Sequence, residues 1–299
     1  MRLFPLRSTG RCRRITGGAR EPGSGHRERR PGAVALVSLY RRLVGAHVRS
    51  QLQYRLSFAL NLFGMALLTL LEFVAILIIF QQVRTLGGWT VEEVALLYGI
   101  ACVSFGLADL AIGHLDLFPN MIREGTFDQI LVRPLPSLFQ VVASDFALRR
   151  LGKGGQGLGV LIFALVQADI DWSGGRAAML PLAVLAGTVI YAAVWIALAT
   201  IAFWIVDAIE FVNAFTYGGN FLSQYPLNVF ARWLRGLVLF VIPISFVAYF
   251  PALYILDKPD ELGLPDALRF ASPAVAVLAA LAAHLAWSHA VRHYRSAGG

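Results

Sequence analysis

Charge is scarce in this chain. Asp, Glu, Lys and Arg make up 15% of its 299 residues against 57% hydrophobic residues, and the mean hydropathy is +0.64. That balance leaves too little charge to cover the surface of a soluble globule. Cysteine is scarcer still: Cys12 and Cys102 fall on different segments, which excludes a disulfide framework or a thiolate metal cluster. Catalytic signatures are also missing, with no G-x-S-x-G elbow and no H-E-x-x-H zinc helix. His284, His289 and His293 have no Cys or carboxylate to complete a metal-ligand set and read as interfacial histidines. The stretch LGKGGQGLG at 151–159 fails as a phosphate loop. Ala147 stands where the first Gly is required and Gly154 where a Ser or Thr must hold Mg²⁺. Its glycines read instead as points where a helix packs closely or bends.

Long apolar runs are what the chain has in abundance. Six segments, at about residues 57–80, 94–118, 151–168, 177–206, 234–254 and 271–291, approach the ~20 residues that carry a helix across a bilayer. Pro243 and Pro251 fall inside the fifth, which spanning helices tolerate. The pattern predicts an all-α membrane protein of six transmembrane helices without a large soluble domain. Ala183, Gly187, Ala192, Ala193 and the Ala-rich sixth segment read as helix-packing positions.

All but four of the 26 Lys and Arg residues fall on one side of that arrangement. The exceptions, Arg84, Arg176, Lys258 and Arg269, lie among acids on the other side. Basic flanks stay in the cytoplasm, so both termini are expected there. Residues 1–32 are rich in Arg, Gly and Ser and are expected to be a disordered, solvated tail beside anionic headgroups. A nucleic-acid-binding arm, a transit peptide and an upstream-misplaced start are the other readings. Residues 33–56 mix apolar positions with Arg41, Arg42, Arg49 and Arg55 at helical spacing. They predict an amphipathic interfacial helix or an extension of the first span.

Ionisable groups within spans are expensive and mark paths, partners or interiors. Here they are Glu72, Asp109, His114 and Asp116. Asn61, Thr69 and Glu72 share one helix face, a stripe suited to a substrate path or a subunit interface. With Phe73, Phe105, Trp195 and Trp204, the carboxylates of Glu72 and Asp109 suit a cationic or amphiphilic compound. A protonated or interhelically bonded Glu72 is the structural alternative. Asp207 and Glu210 are candidate partners for Arg149 or Arg150. The segment 207–235 carries Asn213, Gly218, Gly219, Asn220, Gln224 and Pro226 and reads as a cytoplasmic loop re-entering the fifth span.

The most distinctive run, REGTFDQILVRPLP at 123–136, lies between two spans. Asn120 can cap a helix there, Glu124 sits near its positive end, and Pro134 and Pro136 stop it after Val132. Ile122, Phe127, Ile130 and Leu131 supply an apolar face, with Arg123, Glu124 and Asp128 for polar contacts. Such a helix lies on lipid or docks on a partner. Glu124, Gly125, Phe127, Asp128, Ile130, Leu131, Arg133 and Pro134 match the pattern EG-x-(F/L)-D-x-(L/I)-L-x-(R/K)-P. With the six spans and the amphipathic N-terminal helix, the chain from about 34 to 295 resembles the half-size permeases of ABC-2 type exporters, including viologen and drug exporters. The resemblance implies that Arg123 to Pro134 form a coupling helix docking on separately encoded ATP-binding subunits. Those subunits bind ATP and Mg²⁺, and this chain binds no cofactor. It further implies a second permease copy, identical or related, and a small-molecule substrate moved across the bacterial inner membrane. An ATP-independent scaffold or channel-like protein is the alternative from another class. A membrane enzyme would have to rest on His114 and Asp116 alone.

Overall fold

The computed structural model describes residues 33–53, 55–205 and 209–294, and of 33–37 the backbone only. The expected disordered tail, residues 1–32, lies outside the described residues, as does Asp207. The protein is an all-α membrane protein. Among the described residues twelve α-helices follow in order: α1 (Ala33–Leu52), α2 (Arg55–Gln82), α3 (Val91–Ile112), α4 (Phe118–Arg123), α5 (Thr126–Leu131), α6 (Ser137–Ala143), α7 (Leu151–Gln167), α8 (Gly174–Ala199), α9 (Ile209–Ser223), α10 (Arg232–Gly236), α11 (Tyr249–Ile255) and α12 (Ser272–His293). A tight turn over Gly113–Leu117 joins α3 to α4, so that Val91–Arg123 forms one 33-residue helical stretch.

Among the described residues four stretches are long and apolar enough to cross a membrane: Arg55–Gln82, Val91–Arg123, Gly174–Phe203 and Ser272–His293. α3 is the centre of the bundle, with side chains buried along nearly its whole length. It starts at a capping box: Glu93 N–H donates to the Thr90 hydroxyl at 3.5 Å, and Thr90 N–H donates to the Glu93 carboxylate at 2.8 Å. α7 packs along it through glycines. A Cβ on Gly106 would stand 2.5 Å from Gly154 Cα, and one on Gly157 2.6 Å from Cys102 Cβ. The glycines of 151–159 that fail as a phosphate loop thus allow close backbone approach. α2 and α12 leave apolar side chains such as Leu60, Phe63, Leu278 and Leu285 exposed, the pattern of a lipid-facing helix.

The bundle has two ends. The basic end carries α1, α4 to α6, Arg149 and Arg150; the far end carries the turn 83–90 and residues 168–173 and 256–270. At the far end Arg176 pairs with Asp257 at 2.7 Å and Lys258 with Glu93 at 2.6 Å, so two of the expected minority cations are neutralised by neighbouring acids.

The segment 207–235 does not return as a loop at the basic end. Asn228 donates to Gly87 O at 2.6 Å and to Glu261 at 2.5 Å, which puts the residues after α9 at the far end. α9 therefore runs from one end to the other, as α7 does. These two have 15 and 17 residues, about 22 and 26 Å, against a hydrocarbon core of ~30 Å. α9 escaped detection because Asn213, Thr216, Asn220 and Ser223 interrupt its apolar run, and the last three are buried against the bundle. The expected fifth span, 234–254, is not a continuous helix either. Arg232–Val241 and Ile244–Ile255 meet at 76°, broken at Ile242–Pro243. Both flanks of this pair sit at the far end, since Lys258 donates to Gly88 O at 2.7 Å. The pair is a hairpin entering and leaving by one end, and Arg232 and Arg235 move to the far side without reversing the charge bias.

Candidate functional site

The segment 118–136 forms two short helices. Asn120 is not a cap: Pro119 occupies the first turn of α4 and Asn120 lies inside it. α4 stops at Glu124, and Gly125 turns the chain in the left-handed region at φ 69°, where a side chain would be strained. Pro134 follows the end of α5 as the sequence requires. The apolar face expected to be offered to a partner is largely consumed by the chain itself, since Ile122, Phe127 and Ile130 are buried. Phe127 sits in an aromatic cluster with its ring centroid 5.3 Å from Phe118, 5.4 Å from Phe203, 5.2 Å from Tyr294 and 6.4 Å from Trp287. Those four rings belong to the helical stretches ending in α4 and at Phe203, and to the end of α12, so one side chain ties the segment to three long helices. Gln140 secures the following turn, its amide donating to Ile130 O at 3.0 Å and Leu135 O at 2.9 Å. Exposed on the outer surface are Arg123, Glu124, Leu131, Val132, Arg133 and Pro134, with Val132 84% exposed; Gly125 and Asp128 are half-buried.

A buried ionic network lies just inside. Arg150 Nε stands 3.2 Å from Asp109 Oδ1, and its Nη1 donates to Asp109 O at 3.2 Å. Asp116 accepts from Trp195 Nε1 and from the Tyr217 hydroxyl, both at 2.8 Å. Lys153 Nζ lies 4.3 Å from the Phe105 ring centroid, and Phe105 stacks on Trp195 at 5.4 Å. His114 Nδ1 stands 3.5 Å from Asp145 Oδ2. The partner of Arg150 is therefore Asp109.

The expected stripe on α2 is placed differently. Asn61 is exposed and donates to Ser57 O at 2.8 Å; the Thr69 hydroxyl donates to Met65 O at 3.0 Å and Ala66 O at 3.1 Å. Glu72 is half-buried, with one carboxylate oxygen enclosed and without a hydrogen-bond donor. At this depth the Tyr98 hydroxyl donates to Thr69 O at 2.7 Å and Gln156 Oε1 at 3.2 Å, and Gln224 Nε2 donates to Cys102 Sγ at 3.6 Å. Thr69 and Glu72 thus belong to one polar layer, Asp109 and His114 to another nearer the basic end, and Asn61 faces outward. Trp204 is exposed, apart from Phe105 and Trp195. Sequence reading missed Tyr98, Gln156 and Tyr217 and placed Gln224 in a loop; polar residues recurring in α7 and α9 were the available signal.

Among the described residues no group of three His, Cys, Asp or Glu side chains could hold a metal ion. No curated protein and no solved structure matches the chain. The family model for the ABC-2 family transporter protein matches residues 66–298, a range holding the motif segment, the ionic network and α2 from its middle onward. A match over that much of its length makes this chain a member of the ABC-2 transporter family, a membrane permease of an ABC transporter.

Proposed function

We propose that the chain is the permease subunit of an ATP-driven exporter that moves a small amphiphilic or cationic compound across the bacterial inner membrane. The basic end faces the cytoplasm and so do both termini, with six crossings made by α2, α3, α7, α8, α9 and α12. Separately encoded subunits bind ATP and Mg²⁺ and dock on the exposed residues Arg123, Glu124, Leu131, Val132, Arg133 and Pro134. A second permease copy completes the transporter. Glu72, half-buried in a mid-depth polar layer, is the carboxylate best suited to meet a cation.

The observation that carries this reading is the pairing of an exposed motif surface with a buried anchor. A force applied to Arg123 or Arg133 reaches three long helices through Phe127, which is what transmission of ATPase closure requires. The test is co-purification with a candidate ABC ATP-binding subunit and vanadate-sensitive ATP hydrolysis in proteoliposomes. Glu124→Ala with Arg133→Ala should weaken association about tenfold or more, from the loss of two charge-assisted contacts. Wild-type chain that binds no ATP-binding subunit would sink the proposal.

A further inference from the structure

A polar cavity of about 360 Å³ opens at the basic end, where α1, the start of α2 and the connection after α6 meet. Its polar lining comes from Ser50, Gln51, Ser57, Asn61, Asp145 and Arg149. We propose that it binds the phosphoethanolamine headgroup of a phospholipid, with the phosphate on Arg149 and the ammonium on Asp145 and Asn61. The inference needs only that the chain sits in a bilayer, and stands apart from the transport reading.

The wall is preformed. The Gln51 amide donates to Phe146 O and its carbonyl accepts from Leu148 N–H at 2.8 Å, so α1 is pinned to the connection that carries both charged residues. Asp145 is held from behind by His114 at 3.5 Å, with 38% of its side chain exposed. It therefore keeps a face for a ligand cation. Asn61 spends its Nδ2 donor on Ser57 O at 2.8 Å, which leaves the carbonyl oxygen to accept. One cation, one carboxylate and one amide acceptor match a zwitterion that has a phosphate and N–H donors. A phosphocholine group offers no N–H for Asp145 or Asn61.

Depth and surroundings select a lipid over a soluble phosphoester. Ser57 and Asn61 lie within the first two turns of α2, about 3 to 9 Å from its start, which is the thickness of a headgroup layer. Beside them on α2, Leu60 and Phe63 are exposed and apolar, a surface for the acyl chains of the same molecule.

The full chain is purified in micelles containing equimolar phosphatidylethanolamine, phosphatidylcholine and phosphatidylglycerol of identical acyl chains, and the retained lipid is quantified by mass spectrometry. Wild type should retain phosphatidylethanolamine about tenfold over phosphatidylcholine, the effect of one charge-assisted hydrogen bond. D145N should erase that preference, and R149Q should lower retention of every class. N61A, at an exposed position, should cut the preference about threefold, since the bond it removes joins the ammonium to an uncharged acceptor at a solvent-accessible site. It carries the test if D145N fails to fold. Free O-phosphoethanolamine at the same concentration should not displace the lipid. Equal retention of the two zwitterionic lipids by wild type overturns the proposal. So does an unchanged preference in both D145N and N61A, or displacement by the free phosphoester, which would mark a soluble-ligand site. Retention of no lipid at all, as when a second copy covers α2, overturns it too.

Discussion

Replacing Phe127 by Ala should release the segment 120–132 from the bundle without unfolding the bundle. The ring is completely buried and meets four other aromatic rings. Truncating a buried Phe costs about 3 to 5 kcal/mol, with each well-placed ring pair contributing ~0.5 to 1.5 kcal/mol beyond burial. Ile122 and Ile130 remain as anchors, so the lower figure applies. At ~1.4 kcal/mol per tenfold, about 3 kcal/mol shifts the docked-to-released equilibrium by roughly two orders of magnitude. Phe127→Leu keeps most of the apolar volume and loses mainly ring geometry, about 1 to 1.5 kcal/mol or five- to tenfold. Amide hydrogen exchange in micelles reads this directly. Protection in 120–132 should fall about a hundredfold in F127A and five- to tenfold in F127L, while α3 and α8 keep theirs. Unchanged protection in the segment, or an equal loss throughout the bundle, would refute the reasoning that Phe127 is a local tether.

Other expectations follow from the packing and topology. Gly106→Ala should lower the thermal midpoint in detergent, costing about 1 to 3 kcal/mol by overpacking, since its new Cβ meets Gly154 Cα at 2.5 Å; Gly159→Ala, with nothing within 4 Å, should be neutral or stabilising. Asp109→Asn strands the largely buried Arg150 and should cost about 3 kcal/mol, whereas adding Arg150→Met should recover much of that loss. A two-by-two thermal-denaturation cycle checks the coupling. In a background with Cys12 replaced by Ser, Trp233→Cys and Arg84→Cys should react with an impermeant maleimide from the same face of the membrane, and Arg133→Cys from the opposite face. Shared labelling of Trp233→Cys and Arg133→Cys would contradict the crossing of α9.

The fold was legible where apolarity alone decides the outcome. Arg55–Gln82, Gly174–Phe203 and Ser272–His293 carry unbroken apolar runs, and hydropathy finds such runs by design. α9 was illegible because its polar side chains are buried in the bundle instead of facing water: Thr216 returns to Val212 O of its own helix at 2.8 Å, and Ser223 meets Tyr191 of α8. A window along one chain cannot know that. The hairpin 232–255 misled for the complementary reason. It is apolar enough to span, and only its flanks, held at Gly87 and Gly88, reveal that it turns back. In the motif segment, the pattern pointed to Phe127 without disclosing which way the ring faces. Orientation was settled by partners at positions 203, 287 and 294, too distant in sequence for helical periodicity to reach.

The seam between α3 and α7 has a mechanical consequence. Where backbones meet through Gly106, Gly154 and Gly157, no flexible side chains lie between them to act as bearings. Sliding one helix past the other would drive Leu161 or Cys102 into a space that holds only hydrogen atoms. Such a seam is a poor slip plane and a good weld. α3 and α7 are therefore expected to move as one rigid body, and any relative displacement within the bundle falls to the other interfaces, where α3 and α7 meet α2, α8 and α9.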